Sequence, residues 1–381
     1  MTSLYHSLNT MKSMTIKKYD YYENIKRFHD YEIIDNYLKK IKLNTNTCLT
    51  KSKPNNFLLG KDLLLYKRIG SKSVYGVVYK SKNINQKYKD VPVFTLKIQL
   101  NTNALRRETS IFIKLSKYGL DNRVPNLPIL YKVIKCSNEI PKVLIRRPDK
   151  ATEGGYTMIL NELAAGDLRT FLEKKYPYEI DDRLWKNTYA QIFMSLAILH
   201  SLGIKHNDAH DGNFLYHKIN HGGCFHYEIE GVNYYIENLG FLWTSWDYGL
   251  ISKIESHGDY VHDYMLVNLC MRHNNYYNQT NEFRHHDYYH DKEWGYLSRN
   301  VNVPSSIENL QDYIWNLLGG YNKYNDIYII KKNKLTEPLL LKALLNKGVF
   351  SNKPIGNIIS SVKLTFPILD DKPYLNSNSL L

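Results

Sequence analysis

"HNDAHDGNF", residues 206–214, places two aspartates, two histidines and two asparagines in nine consecutive positions. A metal site and a phosphate-transfer loop both use such side chains, because both need oxygen and nitrogen groups close together. The preceding stretch, "LWKNTYAQIFMSLAILHSLG" (184–203), has apolar residues at helical spacing and ends in glycine. The sequence therefore predicts a helix that stops at Gly203 and a polar loop directly after it.

The composition is that of an ordinary globular chain. With 381 residues, 43% hydrophobic and 23% charged, it is long enough for two or three domains. No apolar run approaches the length of about 18 residues that a membrane span needs, and the N-terminus lacks the apolar core of a secretion signal. Cys48, Cys136, Cys224 and Cys270 are far apart and form no CxxC pair. This spacing predicts four free thiols, a reducing compartment and a cytoplasmic location.

The net charge of +14 has two interpretations. A basic protein can bind nucleic acid or another anionic partner. The abundance of Tyr, Asn, Lys and Ile instead favours a biased coding genome in which lysine is the default surface residue. The sequence contains no dense Lys/Arg block with interleaved aromatic residues, so a nucleic-acid partner is supported by no motif.

Elements predicted from periodicity change in kind along the chain. An amphipathic helix is predicted over 20–43, and the polar, Pro-containing stretch 44–56 is predicted to be a linker. Residues 60–135 are rich in strands, with one helix over 104–119, whereas the chain after residue 165 is mainly helical until the strands that follow residue 214. A strand-rich lobe followed by a helical lobe indicates an α+β fold of two lobes.

The spacing around the opening loop resembles that of protein kinases. Their catalytic loop reads H-R-D-x-x-x-x-N and is followed by Asp-Phe-Gly; here Asp208 precedes Asn213 by five positions, and Asp247-Tyr248-Gly249 follows a run of strands. The resemblance implies that Asp208 accepts the proton of the substrate hydroxyl. It also implies that Asn213 and Asp247 hold Mg²⁺ against the phosphates of ATP.

Residues upstream complete the resemblance in the expected order. The hairpin "IGSKSVYGVVYK" (69–80) would cover ATP, and Lys97 in "FTLKI" would bind the phosphates while paired with Glu108. The resemblance assigns four residues of the hairpin to cofactor binding: Gly70, Ser73, Gly76 and Val78.

Two further stretches match the family. "MILNELAAGDL" (158–168) resembles the interlobe hinge, where the backbone of Asn161, Glu162 and Leu163 would contact adenine. Asp167 would either reach the ribose or cap the helix that starts at Leu168. Asp263 resembles the buried helix aspartate that anchors the catalytic loop.

The resemblance covers about residues 60–320, with an N-lobe over 60–160 and a C-lobe over 161–320. Residues 1–59 would form a helical extension with a linker, and 321–381 a C-terminal extension. The HND-containing loop and the Asn-, Lys- and Tyr-rich composition resemble serine/threonine kinases of giant DNA viruses, such as mimivirus relatives. That similarity implies a bilobal α+β fold and ATP- and Mg²⁺-dependent transfer to protein hydroxyls. It also implies a viral protein of the host cytoplasm or the virion.

Three departures leave alternatives open. Ser73 stands in place of the middle glycine of the hairpin, no Ala-Pro-Glu follows Gly249, and His210 stands where most protein kinases carry a lysine. Haspin kinases and aminoglycoside phosphotransferases also have histidine there, so a small-molecule kinase of the aminoglycoside or choline type remains an alternative, with His210 as a catalytic candidate. A catalytically inactive kinase-like binding module is the third. A zinc site at His285, His286 and His290 is disfavoured, because no companion ligand cluster is evident.

Overall fold

The fold is mixed α and β and consists of two compact units, which we call the first unit (26–164) and the second unit (165–367). The mixed α+β class agrees with the prediction from the sequence. The computed structural model describes residues 26–41, 48–53, 56–70, 75–146, 154–172, 180–255, 257–271, 303–318 and 335–367.

The first unit contains an antiparallel sheet and two long helices. The elements are α1 (Lys26–Lys40), β1 (Leu49–Lys53), β2 (Asn56–Leu59), β3 (Leu63–Ile69), β4 (Gly76–Asn83), β5 (Phe94–Leu100), α2 (Asn103–Asp121), β6 (Leu130–Cys136) and β7 (Tyr156–Asn161). The sheet has seven strands in the order β1-β2-β3-β4-β5-β7-β6, and each strand is antiparallel to its neighbours.

One face of this sheet packs into the core of the first unit. Along β5, Leu96 and Ile98 are completely buried and belong to the core cluster, whereas Lys97 lies between them on the other face. Successive residues of a strand point to opposite faces, so the alternation fixes the side on which Lys97 lies. Val78 is the cross-strand partner of Lys97, and it therefore shares that face.

A disulfide joins the two edges of the curled sheet. Cys48 directly precedes the edge strand β1, and Cys136 ends the other edge strand, β6. The prediction of four free thiols is therefore wrong for this pair; Cys224 and Cys270 are free. The two bonded cysteines are 88 residues apart in sequence, and only the curvature of the sheet brings them together. Because disulfides persist in oxidising environments, the cysteines do not support a reducing compartment.

The described residues between 26 and 59 are part of the first unit. The predicted helix is present as α1, over the described part of 20–43, and its apolar side chains Ile34, Tyr37 and Leu38 are buried in the core cluster. The predicted linker over 44–56 is wrong for residues 49–53, which form β1 and pair with β2. Polar side chains misled the prediction here, because β1 is an edge strand with four exposed residues.

The second unit combines helices with short sheets. Its helices are α3 (Leu168–Thr170), α4 (Asp182–Ser201), α5 (His257–Met271), α6 (Ser305–Leu317) and α7 (Glu337–Asn346). Its strands are β8 (Gly166–Asp167), β9 (Ile204–Lys205), β10 (Phe214–Lys218), β11 (Cys224–Ile229), β12 (Val232–Glu237), β13 (Phe241–Ser245), β14 (Ser252–Lys253) and β15 (Ile358–Leu364).

Helix α4 is the central element of the second unit and leads into the polar loop. The Asp181 side chain accepts a hydrogen bond from the Leu184 amide and so caps its N-terminus. Every residue from Asn187 to Ser201 is buried. The helix ends where predicted, since Gly203 adopts a positive φ of 72°, which a residue without a side chain adopts at little cost.

The C-terminal part of the chain packs within the second unit. The predicted short helix after residue 336 is α7, and β15 pairs in parallel with β11. The predicted hairpin around "EGV" is also present, since β11 and β12 are antiparallel and their turn places Glu230 and Gly231 at positive φ. Among the helices of the described ranges, none combines the length and apolar character that crossing a membrane requires.

Candidate functional site

The polar loop 206–213 runs between β9 and β10 and includes a single 3₁₀ turn, Asp211–Asn213. His206 is completely buried, and its Nε2 lies 2.8 Å from the backbone oxygen of Trp246. Asn207 adopts a positive φ of 63°, which asparagine tolerates better than most residues. Its side-chain amide donates to the Leu250 oxygen at 2.7 Å and to the Ser252 hydroxyl at 2.9 Å. The loop is therefore tied to the segment that follows Asp247.

Asp208 and Asn213 are in direct contact, as the spacing of five residues allows. The Asn213 amide nitrogen donates to the backbone oxygen of Asp208 at 2.8 Å and to its Oδ2 at 3.0 Å. Both partners are acceptors, so the amide must present its nitrogen to them. The Asp208 carboxylate is partly exposed, at 24%. A partly exposed carboxylate in a fixed orientation is suited to accept a proton from a bound hydroxyl.

Strand register places Asp247 beside Asn213. In the β10–β13 pair, Phe214 lies opposite Ser245, and the Trp246 amide donates to the Asn213 oxygen at 2.8 Å. Asp247 follows at once with a positive φ of 59°, a left-handed conformation that is uncommon outside glycine. Such strained residues persist where the surrounding structure holds them, and they are enriched at functional sites.

Asp263 anchors the loop from α5, which confirms the prediction for this residue. Its Oδ2 accepts a hydrogen bond from the His206 amide at 2.6 Å, and its Oδ1 accepts one from the Asn207 amide at 2.8 Å. The side chain is completely buried. Burial acts to raise the pKa of this carboxyl, but hydrogen bonds from His200 and His262 and the nearby imidazoles hold it well below its usual range. Asp263 is therefore an anion at neutral pH.

His210 lies beside the candidate base. Its Nε2 is 3.8 Å from Asp208 Oδ2, and its Nδ1 accepts a hydrogen bond from the Gly212 amide at 3.0 Å. The same imidazole would clash with a side chain at position 212, where an added Cβ would meet His210 Cε1 at 2.8 Å. A side chain at position 212 would thus displace the His210 imidazole from the 3₁₀ turn.

An ion pair that the sequence did not predict supports this turn. Arg169 donates to both carboxylate oxygens of Asp211, from Nε and Nη2, each at 2.9 Å. Asp211 is completely buried. A two-point contact of this kind fixes orientation as well as charge. In the sequence, Asp211 stands only as an aspartate between His210 and Asn213, which had assigned roles. Its partner, Arg169, is 42 positions away.

In the first unit, Lys97 and Glu108 form the predicted pair. Lys97 Nζ lies 2.8 Å from Glu108 Oε1, and the two side chains are only 16% and 9% exposed. Glu108 is held on α2, whose N-terminus is capped by the Thr102 side chain. The carboxylate offsets the desolvation of the lysine, so a charged ammonium can be kept on this face of the sheet.

The predicted hairpin is described only in part. Gly70 has a positive φ of 65°, whereas Ser73 lies outside the described residues. At Gly76 an added Cβ would lie 2.2 Å from the Ile98 backbone oxygen, so the close approach of β4 and β5 by itself requires glycine there. Val78 lies on the Lys97 face and is half-buried. Gly76 is therefore needed for the close packing of β4 and β5. Val78 could contact a ligand bound on the Lys97 face of the sheet.

The predicted hinge segment separates into residues with different roles. The Asn161 oxygen accepts from Thr95 Oγ1 at 3.0 Å, and the Glu162 amide donates to the Ile129 oxygen at 3.2 Å. The Glu162 oxygen accepts from Thr95 Oγ1 at 3.1 Å, so the backbone of Glu162 is fully engaged. No hydrogen bond joins the Leu163 backbone to another residue of the described ranges. Leu163 is thus better placed than Glu162 to offer backbone groups to a ligand.

The Glu162 side chain has a partner from the N-terminal helix. Arg27 Nε donates to Glu162 Oε2 at 2.8 Å, Nη2 donates to Oε1, and both side chains are 7% exposed. The guanidinium also donates to the backbone oxygens of Pro125 and Leu127. The prediction from the sequence assigned Arg27 to a separate N-terminal extension. No local pattern indicated its contact with Glu162.

Asp167 is a helix cap in this structure. Its Oδ1 accepts a hydrogen bond from the Thr170 amide at 2.6 Å, at the N-terminus of α3. Of the two predicted roles, ribose contact and capping, the contacts bear out the capping role.

The donor set fits magnesium better than zinc. Across the described ranges, no group of three or more His, Cys, Asp or Glu side chains could hold a metal, and the three histidines of 285–290 lie outside those ranges. Magnesium bound with a nucleotide needs only one or two carboxylates, because phosphates and water supply the other ligands. Asp247 supplies a carboxylate, and the Asn213 amide oxygen accepts no hydrogen bond from another described residue.

Comparison with known proteins does not assign this chain to a family. Neither a family model nor a curated protein matches the chain.

Proposed function

We propose that this protein is an ATP- and Mg²⁺-dependent phosphotransferase that transfers the γ-phosphate to serine and threonine hydroxyls of proteins. The observation that carries the proposal is the arrangement of the polar loop. One buried anion, Asp263, and one strand pairing hold Asp208, Asn213 and Asp247 as neighbours. Phosphoryl transfer depends mainly on positioning and charge neutralisation, so a rigid set of oxygen groups is what the chemistry needs.

In this proposal Asp208 is the base. The contact with the Asn213 amide fixes Oδ2, and the partial exposure of the carboxylate leaves room for an acceptor hydroxyl. As the hydroxyl oxygen attacks the γ-phosphorus, its proton would pass to this carboxylate, and the bond from the γ-phosphorus to the β–γ bridging oxygen would break to release ADP. His210 lies on the same side and would contact the acceptor or the transferred phosphoryl group.

Asp247 and the Asn213 amide oxygen would hold Mg²⁺. When bound, the ion would neutralise negative charge on the phosphates. The positive φ of Asp247 is maintained by the strand pairing that ends at Ser245.

Lys97 would bind phosphate oxygens through its ammonium group. The pair with Glu108 limits the freedom of this long side chain, so less conformational entropy is lost when a phosphate binds. The backbone of Leu163 and the side chain of Val78 would contact the base of the nucleotide. The first unit thus contains the residues proposed to bind the nucleotide, and the second unit contains those proposed as base and metal ligands.

The experiment incubates the purified chain with ATP labelled on the γ-phosphate, Mg²⁺, and three kinds of acceptor: casein, a basic protein, and an aminoglycoside or choline. Transfer to protein serine or threonine is expected. In Asp208→Asn the rate should fall by about 100-fold or more, because the base is lost. Asp90→Asn, an exposed residue of the first unit, is the matched control and should retain the wild-type rate.

The other outcomes refute specific parts of the proposal. Transfer to the aminoglycoside or choline alone would identify a small-molecule kinase. Nucleotide binding without transfer to any acceptor, together with an unchanged signal in Asp208→Asn, would identify an inactive binding module.

A further inference from the structure

A buried cluster of charged side chains connects α7 to the polar loop. His200, in the last turn of α4, lies between two carboxylates: its Nδ1 is 2.7 Å from Glu337 Oε1, and its Nε2 is 3.1 Å from Asp263 Oδ2. His200 and Asp263 are completely buried and Glu337 is 4% exposed. The three residues come from three helices of the second unit, and the contacts between them are buried.

Both carboxylates favour a proton on the ring nitrogen that each contacts. Burial also raises the pKa of Glu337, although His200 and the Tyr264 hydroxyl act against this rise. Burial lowers the pKa of His200, but the charges and hydrogen bonds of Glu337 and Asp263 outweigh burial and raise this pKa to about 9. At neutral pH the ring is therefore an imidazolium that donates from both nitrogens. A neutral imidazole has a single N–H and could donate to only one of the two carboxylates.

Asp263 connects the His200 imidazolium to the backbone of the polar loop. Its Oδ2 accepts from His200 and from the His206 amide, while its Oδ1 accepts from the Asn207 amide. The orientation of the carboxylate is thus set on one side by the loop backbone and on the other by the imidazolium. The other nitrogen of the imidazolium contacts the Glu337 carboxylate.

Glu337 is itself held firmly in place. It is the first residue of α7, and it accepts a hydrogen bond from the Tyr264 hydroxyl. Two residues earlier, the Leu335 oxygen accepts a hydrogen bond from the Tyr260 hydroxyl. The N-terminus of a helix also favours a negative charge in its first turn. This residue lies outside the range 60–320 that the kinase resemblance covers, so the resemblance assigns it no role.

We propose that Glu337 is a positioning residue for the loop 206–213, acting through His200 and Asp263. Its role in catalysis rests on the proposed phosphotransferase function, whereas its role in holding the loop does not. Glu337 touches neither Asp208 nor Asn213, so its effect must travel through the two buried side chains.

The experiment measures the loop directly by hydrogen exchange of peptides that cover residues 204–214. In Glu337→Gln the shape is kept and the charge is lost, so the charge-assisted contacts become neutral and weaker. Exchange at the His206 and Asn207 amides is expected to accelerate by about tenfold or more. Glu308→Gln, an exposed residue of α6, is the matched control and should leave exchange unchanged.

A second variant separates positioning from simple loss of stability. Leu340 is completely buried in α7, and Leu340→Ala should weaken the packing of this helix without removing a charge. At a comparable fall in melting temperature, loop exchange should remain near the wild-type value in Leu340→Ala. Equal acceleration in the two variants would overturn the proposal, because Glu337 would then act only through the stability of α7.

Kinetics give an independent measurement if the wild type transfers phosphate. Glu337→Gln should lower kcat by about tenfold and change the KM for ATP by less than about twofold, because the loop supplies the base. Glu337→Asp keeps the charge and should recover part of kcat. If Glu337→Gln does not fold, Glu337→Asp is compared with Leu340→Ala: faster loop exchange in the aspartate variant supports the proposal, and equal exchange overturns it. Absence of transfer in the wild type would refute the proposed function but not the exchange result.

Discussion

Replacing Arg27 by Met tests whether the N-terminal helix is an integral part of the first unit. The guanidinium makes two contacts with the Glu162 carboxylate and two with backbone oxygens, and both side chains are 7% exposed. Removing one member of a buried ion pair typically costs about 3–5 kcal/mol, because the other charge is left without compensation. We therefore expect the free energy of unfolding of the first unit to fall by about 3–5 kcal/mol.

A second substitution should recover part of this loss. Glu162→Gln in the Arg27→Met background removes the unpaired charge, and the glutamine oxygen can still accept the Ile129 amide, which now lies 2.8 Å from Glu162 Oε1. The double variant should therefore be more stable than Arg27→Met alone. Arg146→Met, an exposed residue of the same unit, is the matched control and should have no measurable effect.

The assay can separate the two units because of where the tryptophans lie. All five tryptophans follow residue 164, so tryptophan fluorescence during urea denaturation reports on the second unit. Hydrogen exchange of peptides from β7 reports on the first unit. The expected result is a large loss of protection in β7 with the fluorescence transition little changed. A free energy of unfolding of the first unit within about 1 kcal/mol of wild type would refute the reasoning.

Four further expectations concern activity and pH. Asp247→Asn should keep the left-handed backbone but lower initial transfer rates by much more than tenfold, and a loss below tenfold, about 1.4 kcal/mol, would contradict its role as a metal ligand. Lys97→Met should lower the rate by about 100-fold or more with an unchanged circular dichroism spectrum, and an equal rate would mean that another lysine binds the phosphates. Phosphatase treatment should leave the rate unchanged, because Asn207 already holds Ser252 without a phosphate, and a large fall traced to Ser252 would disprove this. Folding raises the pKa of His200 from 6.5 to about 9, so protonated His200 stabilises the fold fully below pH 6.5, and this contribution is lost as pH rises through about 9. Melting temperatures measured over this pH range should fall in the wild type and fall less in His200→Gln.

Local patterns in the sequence were sufficient for many elements of the fold. The helix that ends at Gly203 and the hairpin of β11 and β12 were predicted because helical spacing, alternation and turn residues act over a few positions. The contact between Asp208 and Asn213 is local in the same sense, since five residues separate them. The resemblance to kinases also predicted the role of Asp263, which is 57 positions from the loop residue that it holds.

Contacts between distant residues were not predictable from such patterns. The Cys48–Cys136 disulfide spans 88 residues, the Arg27–Glu162 pair 135 and the His200–Glu337 pair 137. In each case the sequence around the residue gives no indication of its partner, because a charged or thiol side chain has the same local appearance on a surface and in a buried pair. The role of β1 was missed for a related reason, since an edge strand does not need the alternation that marks a half-buried one.

The parallel pairing of β11 with β15 affects how the chain is made as well as how it folds. During synthesis β11 can pair with β12 at once, since only two residues separate these strands, but its other edge must wait for residues 358–364 to leave the ribosome. An unpaired strand edge is a template for association with other chains. A nascent or truncated chain that ends before residue 358 would therefore expose this edge, and recombinant fragments cut at residue 320 should be more prone to aggregate than the full chain.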